Sequence, residues 1–134
     1  MEKHFYHGCI ANEFLKNNKT VIYQTTPILL DTVFEYKFDT KNQKNRELYN
    51  NLFTVDLLII DDLGTEKQSE AKFTEIFNII NSRLLNPNTQ TIISTNLDID
   101  KLNQVYDTRI FSRLVGKYKI CKFYGDDIRQ LKFK

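Results

Sequence analysis

The stretch "DLLIIDDLGTE" (residues 56–66) decides the fold. Its four consecutive apolar residues, 57–60, are typical of a parallel strand that is covered on both faces. The run ends in Asp61 and Asp62, and burial of an unpaired carboxylate is unfavourable by several kcal/mol. Because ligands bind at the carboxyl ends of the strands in such sheets, the acidic pair indicates a site that requires negative charge.

Strand and helix patterns alternate along the whole chain. Strands are predicted over residues 21–25, 57–60, 89–96 and 117–124, and helices over 5–17, from Pro27, after the N-cap Ser69, from Asp98 and over 106–115. This order predicts a single α/β domain over residues 1–134, with three layers (α/β/α) and a mainly parallel sheet.

The composition fits a soluble domain, with 134 residues of which 41% are hydrophobic and 27% are charged. No apolar run approaches the ~20 residues of a membrane span, and the N-terminal segment lacks the apolar core of a signal peptide. Cys9 and Cys121 form no metal or redox motif, so free thiols in a reducing cytoplasm are expected.

The net charge of +2 conceals an asymmetry. Residues 1–100 contain 10 basic and 14 acidic side chains, whereas residues 101–134 contain 9 basic and 3 acidic ones. A basic C-terminal third is compatible with the phosphates of a nucleotide or a nucleic acid, and also with a solvated basic surface.

Polar side chains follow two of the predicted strands. Asp61 and Asp62 come after the apolar run, and Ser94, Thr95 and Asn96 end the next strand. Two carboxylates and an amide at one sheet edge suit a magnesium–triphosphate site, in which one carboxylate holds the metal's water shell and the others orient the attacking water. A turn and a helix cap formed by the same residues is the alternative.

Five segments occur in the order found in the DnaC/DnaI/IstB group of AAA+ ATPases, which the chain therefore resembles: "LLIIDDLGTE", "FTEIFNIINSRLL", "TIISTNL", "TRIFSRLVGKY" and "FYGDDIR". These proteins are helicase loaders and transposition helpers. The resemblance implies a P-loop NTPase fold, ATP and Mg²⁺ as cofactors, and a replicative helicase or a transposase as partner. Single-stranded DNA is a further partner to be tested.

The resemblance also assigns roles to the polar residues at the strand ends. The apolar run becomes a Walker B strand, in which Asp61 matches the magnesium-associated aspartate. Asp62 stands where AAA+ proteins place the acid that activates water. Asn96 matches the polar sensor-1 residue.

Three arginines match the group's pattern in the basic third of the chain. Arg113, in "FSR", resembles the arginine finger that reaches a neighbouring subunit's γ-phosphate, and Arg109 lies one helical turn earlier. Arg129, in "GDDIR", resembles the sensor-2 arginine. Without the resemblance, each would be interpreted as a surface or helix-end charge.

The chain departs from the group at its P-loop. Alignment on "CIANEFL" (residues 9–15) puts Lys3 at the P-loop lysine, but Glu2 and His4 replace the flanking glycine and threonine. No Gly-x-x-x-x-Gly-Lys occurs elsewhere, so weak ATP binding and weaker hydrolysis are expected. The fold should also lack the central strand that precedes the P-loop. Closure of the gap by the tail strand, self-association through the open sheet edge and a poorly folded chain are the alternatives, and self-association is expected.

The favoured function is that of a DnaC/DnaI-type ATP-binding protein that loads a replicative helicase. An IstB-like transposition helper, or a non-catalytic interaction module derived from either, is the alternative. A receiver-like signalling domain also presents paired aspartates at strand ends. It is disfavoured because no lone acid ends the strand at residues 91–95.

Overall fold

The computed structural model describes residues 2–122, with side chains from Tyr6 onward. Its helices are α1 (Glu2–Lys16), α2 (Thr26–Phe38), α3 (Gln43–Thr54), α4 (Glu70–Leu85), α5 (Ile99–Val105) and α6 (Thr108–Lys117), and its strands are β1 (Val21–Thr25), β2 (Leu57–Leu63) and β3 (Gln90–Thr95). The strands form a parallel sheet in the order β1-β2-β3. The predicted α/β class and the parallel sheet are confirmed.

The sheet lies between two layers of helices. Leu58 and Ile60 of β2 belong to a buried cluster with residues of α2–α6, whereas Ile59, which faces the other way, is fully buried on the opposite side. That opposite face is covered by α1, which contacts β1 and β2. The three predicted layers are therefore present. No helix within residues 2–122 has the length and apolar character that crossing a membrane would require.

The helices begin where polar caps satisfy their first backbone N–H groups. The side chains of Ser69, Asp98 and Asp107 accept hydrogen bonds from N–H groups three residues later, at 3.2, 2.8 and 3.0 Å. Asn42 does the same for α3 at 3.0 Å. The starts of α4 and α5 agree with the sequence prediction, whereas α3, within a polar stretch, was not predicted.

The predicted strand over 117–124 is wrong for its described part. Lys117 is the last residue of α6, and residues 118–122 carry no strand, while 123 and 124 lie outside the described residues. Tyr118 packs against the core, but Ile120 is 47% exposed. One packed aromatic residue is therefore present, but not the alternation of buried and exposed residues that a strand of the sheet would show.

A reciprocal pair of hydrogen bonds joins the amino ends of β1 and β2. The backbone N–H and hydroxyl of Thr20 donate to Asp56 Oδ2 at 2.8 and 3.1 Å, and the Asp56 N–H donates to Thr20 Oγ1 at 2.9 Å. The bonds from the Thr20 backbone and hydroxyl hold the pKa of the Asp56 carboxyl below its usual value of 3.8. The ionised form of Asp56 therefore stabilises the folded state.

The variant Asp56→Asn is expected to be less stable than the parent at neutral pH. A carboxyl whose pKa is lowered by folding stabilises the protein above its unfolded pKa, and that contribution is lost as the pH falls through the folded pKa. The difference in Tm between the two proteins should therefore shrink as the pH falls below 3.8. The exposed Asp31→Asn is the control, and a constant difference across the acid range would contradict the prediction.

Candidate nucleotide-binding site

Asp61 lies at the carboxyl end of β2 and is 4% exposed. The hydroxyl of Ser94, on β3, donates a hydrogen bond to Asp61 Oδ1. The hydroxyl of Thr26, the first residue of α2, donates to the Asp61 backbone carbonyl at 3.1 Å. The buried carboxylate is thus held by a neighbouring strand, and the following helix fixes its backbone.

Asp62 has an unusual backbone that separates it from Asp61. Its φ is +56°, in the left-handed region, which aspartate tolerates better than most residues. Its N–H donates to Ser94 Oγ at 3.3 Å, and a register shift lies between Ile60 and Leu63. The Ser94 hydroxyl therefore donates to the Asp61 carboxylate and accepts from the Asp62 backbone, while Asp62 is partly exposed.

Tyr23 on β1 is a neighbour of the acidic pair that the sequence did not indicate. Its pKa is raised by burial and by the negative charges of Asp61 and Asp62, so both carboxylates lie near this ring. The Tyr23 hydroxyl lies 3.2 Å from Nδ1 of His7, a buried residue of α1. In a parallel sheet, Tyr23 could have been found by its position two residues before Thr25, which pairs with Asp61.

Asn96 lies at the same edge of the sheet as the acids. It follows Thr95, the last residue of β3, and Thr95 pairs with Leu63 of β2. The Thr95 hydroxyl donates to the Leu63 carbonyl at 2.6 Å and accepts from the Leu97 N–H at 3.1 Å. Asn96 thus follows the strand next to the one that carries the acids, and its role as a sensor residue stays a prediction.

The arginines of α6 lie against α4. Arg113 Nε donates to Asn81 Oδ1 at 3.0 Å, and its guanidinium lies 5.6 Å from the centre of the Phe77 ring. Arg109 lies 5.0 Å from the same ring and forms an ion pair with Asp107 at 3.0 Å. A cation near an aromatic face is attracted to it, so Phe77 positions both arginines.

Two of the predicted site residues have no described side chain. Lys3 lies in the first turn of α1, and only its backbone is described. Arg129 lies outside the described residues. Their predicted contacts with a nucleotide stay predictions.

The donor groups at this edge fit magnesium. Carboxylate and hydroxyl oxygens are the hard ligands that Mg²⁺ prefers, and Mg²⁺ usually binds one or two carboxylates while retaining several waters. Within the described residues, no group of three or more His, Cys, Asp or Glu side chains could hold a metal. The pair Asp61–Asp62 therefore suits a hydrated ion shared with phosphates, although the 134 residues contain no Gly-x-x-x-x-Gly-Lys cradle.

The sequence model for the IstB-like ATP binding protein family matches residues 3–133. The chain belongs to this family. The match covers the strand that carries the acids, the strand that precedes Asn96, and both arginines of α6. The IstB-like chain is also similar to individual proteins.

Two curated relatives are replicative helicase loaders named DnaC. The DnaC of Escherichia coli strain K12 is 28% identical over 108 residues, which cover 80% of this chain and 43% of the relative. The DnaC of Buchnera aphidicola subsp. Baizongia pistaciae is 28% identical over 124 residues, which cover 92% of this chain and 50% of the relative. The IstB-like chain thus spans about half the length of these relatives.

Solved structures of replication initiators share the fold. AMPPCP-bound DnaA from Aquifex aeolicus superposes with a TM-score of 0.65 and 26% identity, over 79% of this chain and 32% of that one. A replication initiator DnaA bound to AMPPCP and single-stranded DNA gives a TM-score of 0.64 and 29% identity, over 79% of this chain and 32% of that one. The IstB-like chain therefore has the AAA+ type of P-loop NTPase fold.

Proposed function

We propose that this chain is a partial AAA+ domain of the DnaC/DnaI type, which acts in the cytoplasm in DNA replication as a helicase loader. The observation that carries the proposal is the buried Asp61 carboxylate at the carboxyl edge of β2, which accepts a hydrogen bond from the Ser94 hydroxyl, while that hydroxyl accepts from the backbone N–H of Asp62. The DnaC relatives support the helicase as partner, and the DnaA structure with single-stranded DNA supports DNA as a ligand.

Each polar residue at the sheet edge has a separate role in the proposed chemistry. Asp61, fixed by Ser94, would hold the water shell of Mg²⁺, and the ion when bound would neutralise phosphate charge. Asp62, which is partly exposed, would accept the proton of an attacking water. Asn96 would orient that water from the end of β3.

Cationic residues supply the remaining contacts of the proposed site. Arg113 extends from α6 to the γ-phosphate bound by a neighbouring subunit, and Arg109, on the same helix, contributes to that contact. Lys3 and Arg129 contact the phosphates of the chain's own nucleotide. The planar guanidinium groups suit bidentate contacts with phosphate oxygens.

We expect the 134-residue chain to bind Mg²⁺ but to release negligible phosphate from ATP. The acids that bind the metal are in place, whereas a backbone cradle for the phosphates is absent from the sequence. Calorimetry with Mg²⁺ and an ATP analogue, together with steady-state phosphate release, tests this expectation. Asp62→Ala is the test variant and Asp31→Ala the control, and robust turnover that only Asp62→Ala abolishes would contradict it.

Sedimentation of the chain with a purified replicative helicase tests the proposed partner. Co-sedimentation with the helicase, and not with an IS21-type transposase, is expected. The reverse result would favour the second candidate, an IstB-like transposition helper, which is kept because the matching family is named for IstB-like proteins. Helicase binding that is independent of Mg²⁺ and nucleotide would instead indicate a non-catalytic interaction module.

We also propose that the chain self-associates through β3. Within residues 2–122, β3 pairs with β2 and no strand lies on its other side. An open edge offers unpaired N–H and C=O groups to another chain. Light scattering should show an increase in mass with concentration, and hydrogen exchange over 90–95 should slow in parallel. Exchange in β2, which is paired on both sides, is the reference, and a monomer with strong protection of β3 would contradict the proposal.

A further inference from the structure

The turn that follows the acidic pair, residues 62–66, is closed by its own hydrogen bonds. The Asp62 carbonyl accepts from the N–H and the hydroxyl of Thr65 at 3.2 and 2.8 Å. The Gly64 N–H donates to Glu66 Oε1 at 2.8 Å. A change in the backbone at Asp62 must therefore move the turn as one unit.

Glu66 ends this turn and is 6% exposed. Its Oε2 accepts a hydrogen bond from the hydroxyl of Tyr106, and the side chain of Gln68 donates to the same oxygen at 3.3 Å. No ion pair to Glu66 is present within the described side chains. A buried carboxylate without a cation depends on these few donors, so its bond to Tyr106 strongly restricts its position.

Tyr106 connects three helices. It is 4% exposed, caps the C-terminus of α5, and precedes Asp107, the N-cap of α6. Its ring lies edge-on to Phe73 of α4, with 5.6 Å between centroids. Burial, followed by the hydrogen bond to Glu66, raises the pKa of the Tyr106 hydroxyl far above its usual value, so it remains a donor at neutral pH.

We propose that the Glu66–Tyr106 hydrogen bond positions helix α6 relative to the acidic pair, so that a change at Asp61 or Asp62 is transmitted to Arg113. The path runs from the closed turn through two buried side chains to Asp107, the N-cap of α6, which follows Tyr106 in the chain. Glu66 and Tyr106 are positioning residues, since neither contacts the proposed nucleotide. This inference rests on the proposed function only for the identity of the ligand that binds at Asp61 and Asp62.

The test follows the NMR signal of the Arg113 Nε–H, which donates to Asn81. Mg²⁺ is titrated into the parent chain and into Tyr106→Phe, which removes the hydroxyl but keeps the ring on Phe73. The amides of residues 61–64 should shift in both proteins. The shift at Arg113 should fall to less than about a fifth of the parental value in Tyr106→Phe. Tyr49→Phe, a core tyrosine on α3, is the matched control and should leave the shift unchanged.

Glu66→Gln provides a second variant that breaks the path at one end. Glu66 accepts from Gly64 on one oxygen and from Tyr106 on the other, whereas glutamine has a single acceptor oxygen. The Arg113 response should therefore fall in Glu66→Gln as it does in Tyr106→Phe, although the tyrosine ring is unchanged. An equal response in the parent and in Tyr106→Phe, or no response at Arg113 in the parent, would overturn the proposal.

A further experiment distinguishes a failure of this proposal from a failure of the proposed metal site. If the amides of residues 61–64 do not respond to Mg²⁺, the metal site fails, and Asp62→Asn replaces the ion as the perturbation. Asparagine tolerates the left-handed backbone at this position. The Arg113 signal should then shift on Asp62→Asn in the parent but not in the Tyr106→Phe background, and equal shifts would again overturn the link.

Discussion

Replacement of Arg83 by alanine is expected to destabilise the domain by about 3–5 kcal/mol, the largest effect of any single change considered. Arg83 is 2% exposed, and its guanidinium donates to the carbonyls of Leu52, Val55 and Gln90 at 3.0, 2.9 and 2.8 Å. Its Nε also donates to Thr91 Oγ1 at 2.8 Å. Alanine would leave three carbonyls without this donor and a cavity in the core, and both effects are unfavourable.

Urea unfolding of Arg83→Ala and Arg83→Lys measures this contribution. Burial lowers the pKa of Arg83 to about 10, so the side chain is charged at pH 7 in the folded state. Lysine would keep the charge but cannot direct donors to four acceptors, so an intermediate loss is expected. The exposed Arg46, which donates to the Thr40 carbonyl at 2.8 Å, is the control, and Arg46→Ala should change stability by less than about 0.5 kcal/mol. Equal losses at the two arginines would refute the assignment.

Gly64→Ala is expected to destabilise the domain by about 1–3 kcal/mol through backbone strain, with a further loss from a steric clash. Gly64 has a φ of +101°, which side chains rarely adopt. A Cβ at this position would lie 2.5 Å from Leu97 Cδ1 and 3.2 Å from its Cγ. Leu97 is partly buried against the core and its side chain can shift, so the backbone strain at Gly64 is expected to be the larger part of the loss.

Gly116→Ala is the matched control for this change. Gly116 lies in α6, and a Cβ there would meet no atom within 4 Å. Alanine in an exposed helix is expected to increase stability by about 0.5–1 kcal/mol. Thermal unfolding should therefore move the two Tm values in opposite directions, and a neutral Gly64→Ala would show that the turn after β2 relaxes freely.

The sequence predicted those parts of the fold that depend on local patterns. The apolar run of β2 and the capping residues Ser69 and Asp98 act over a few positions, so they indicate a strand and two helix starts without tertiary information. Helix α3 was not predicted because its residues are mostly polar and only Leu52 is buried. The strand predicted over residues 117–124 is wrong for its described part for a related reason. In the sequence, the single packed residue Tyr118 cannot be distinguished from one member of an alternating strand pattern.

The candidate site likewise contains residues that the sequence could predict and contacts that it could not. Asp61, Asp62 and Asn96 were predicted at one edge by the rule that parallel strands end together, and in the structure β2 and β3 are neighbours that end at that edge. The Glu66–Tyr106 contact spans 40 residues, and no spacing in the sequence records such a contact. In the sequence, Arg83 likewise resembles an ordinary basic residue in the last turn of a helix. In the structure it is buried and donates hydrogen bonds to four acceptors.

The sheet order has a consequence for how the chain assembles during synthesis. Thr20 and Asp56, which pair at the start of β1 and β2, are 36 positions apart, and both precede β3 in the chain. β1, β2 and the two helices between them can therefore form a paired unit before β3 has left the ribosome. β3 then pairs with the free edge of β2, whose register with β1 is already set. Asp61 and Asp62 are thus made before Ser94, whose hydroxyl then donates to the Asp61 carboxylate and accepts from the Asp62 N–H.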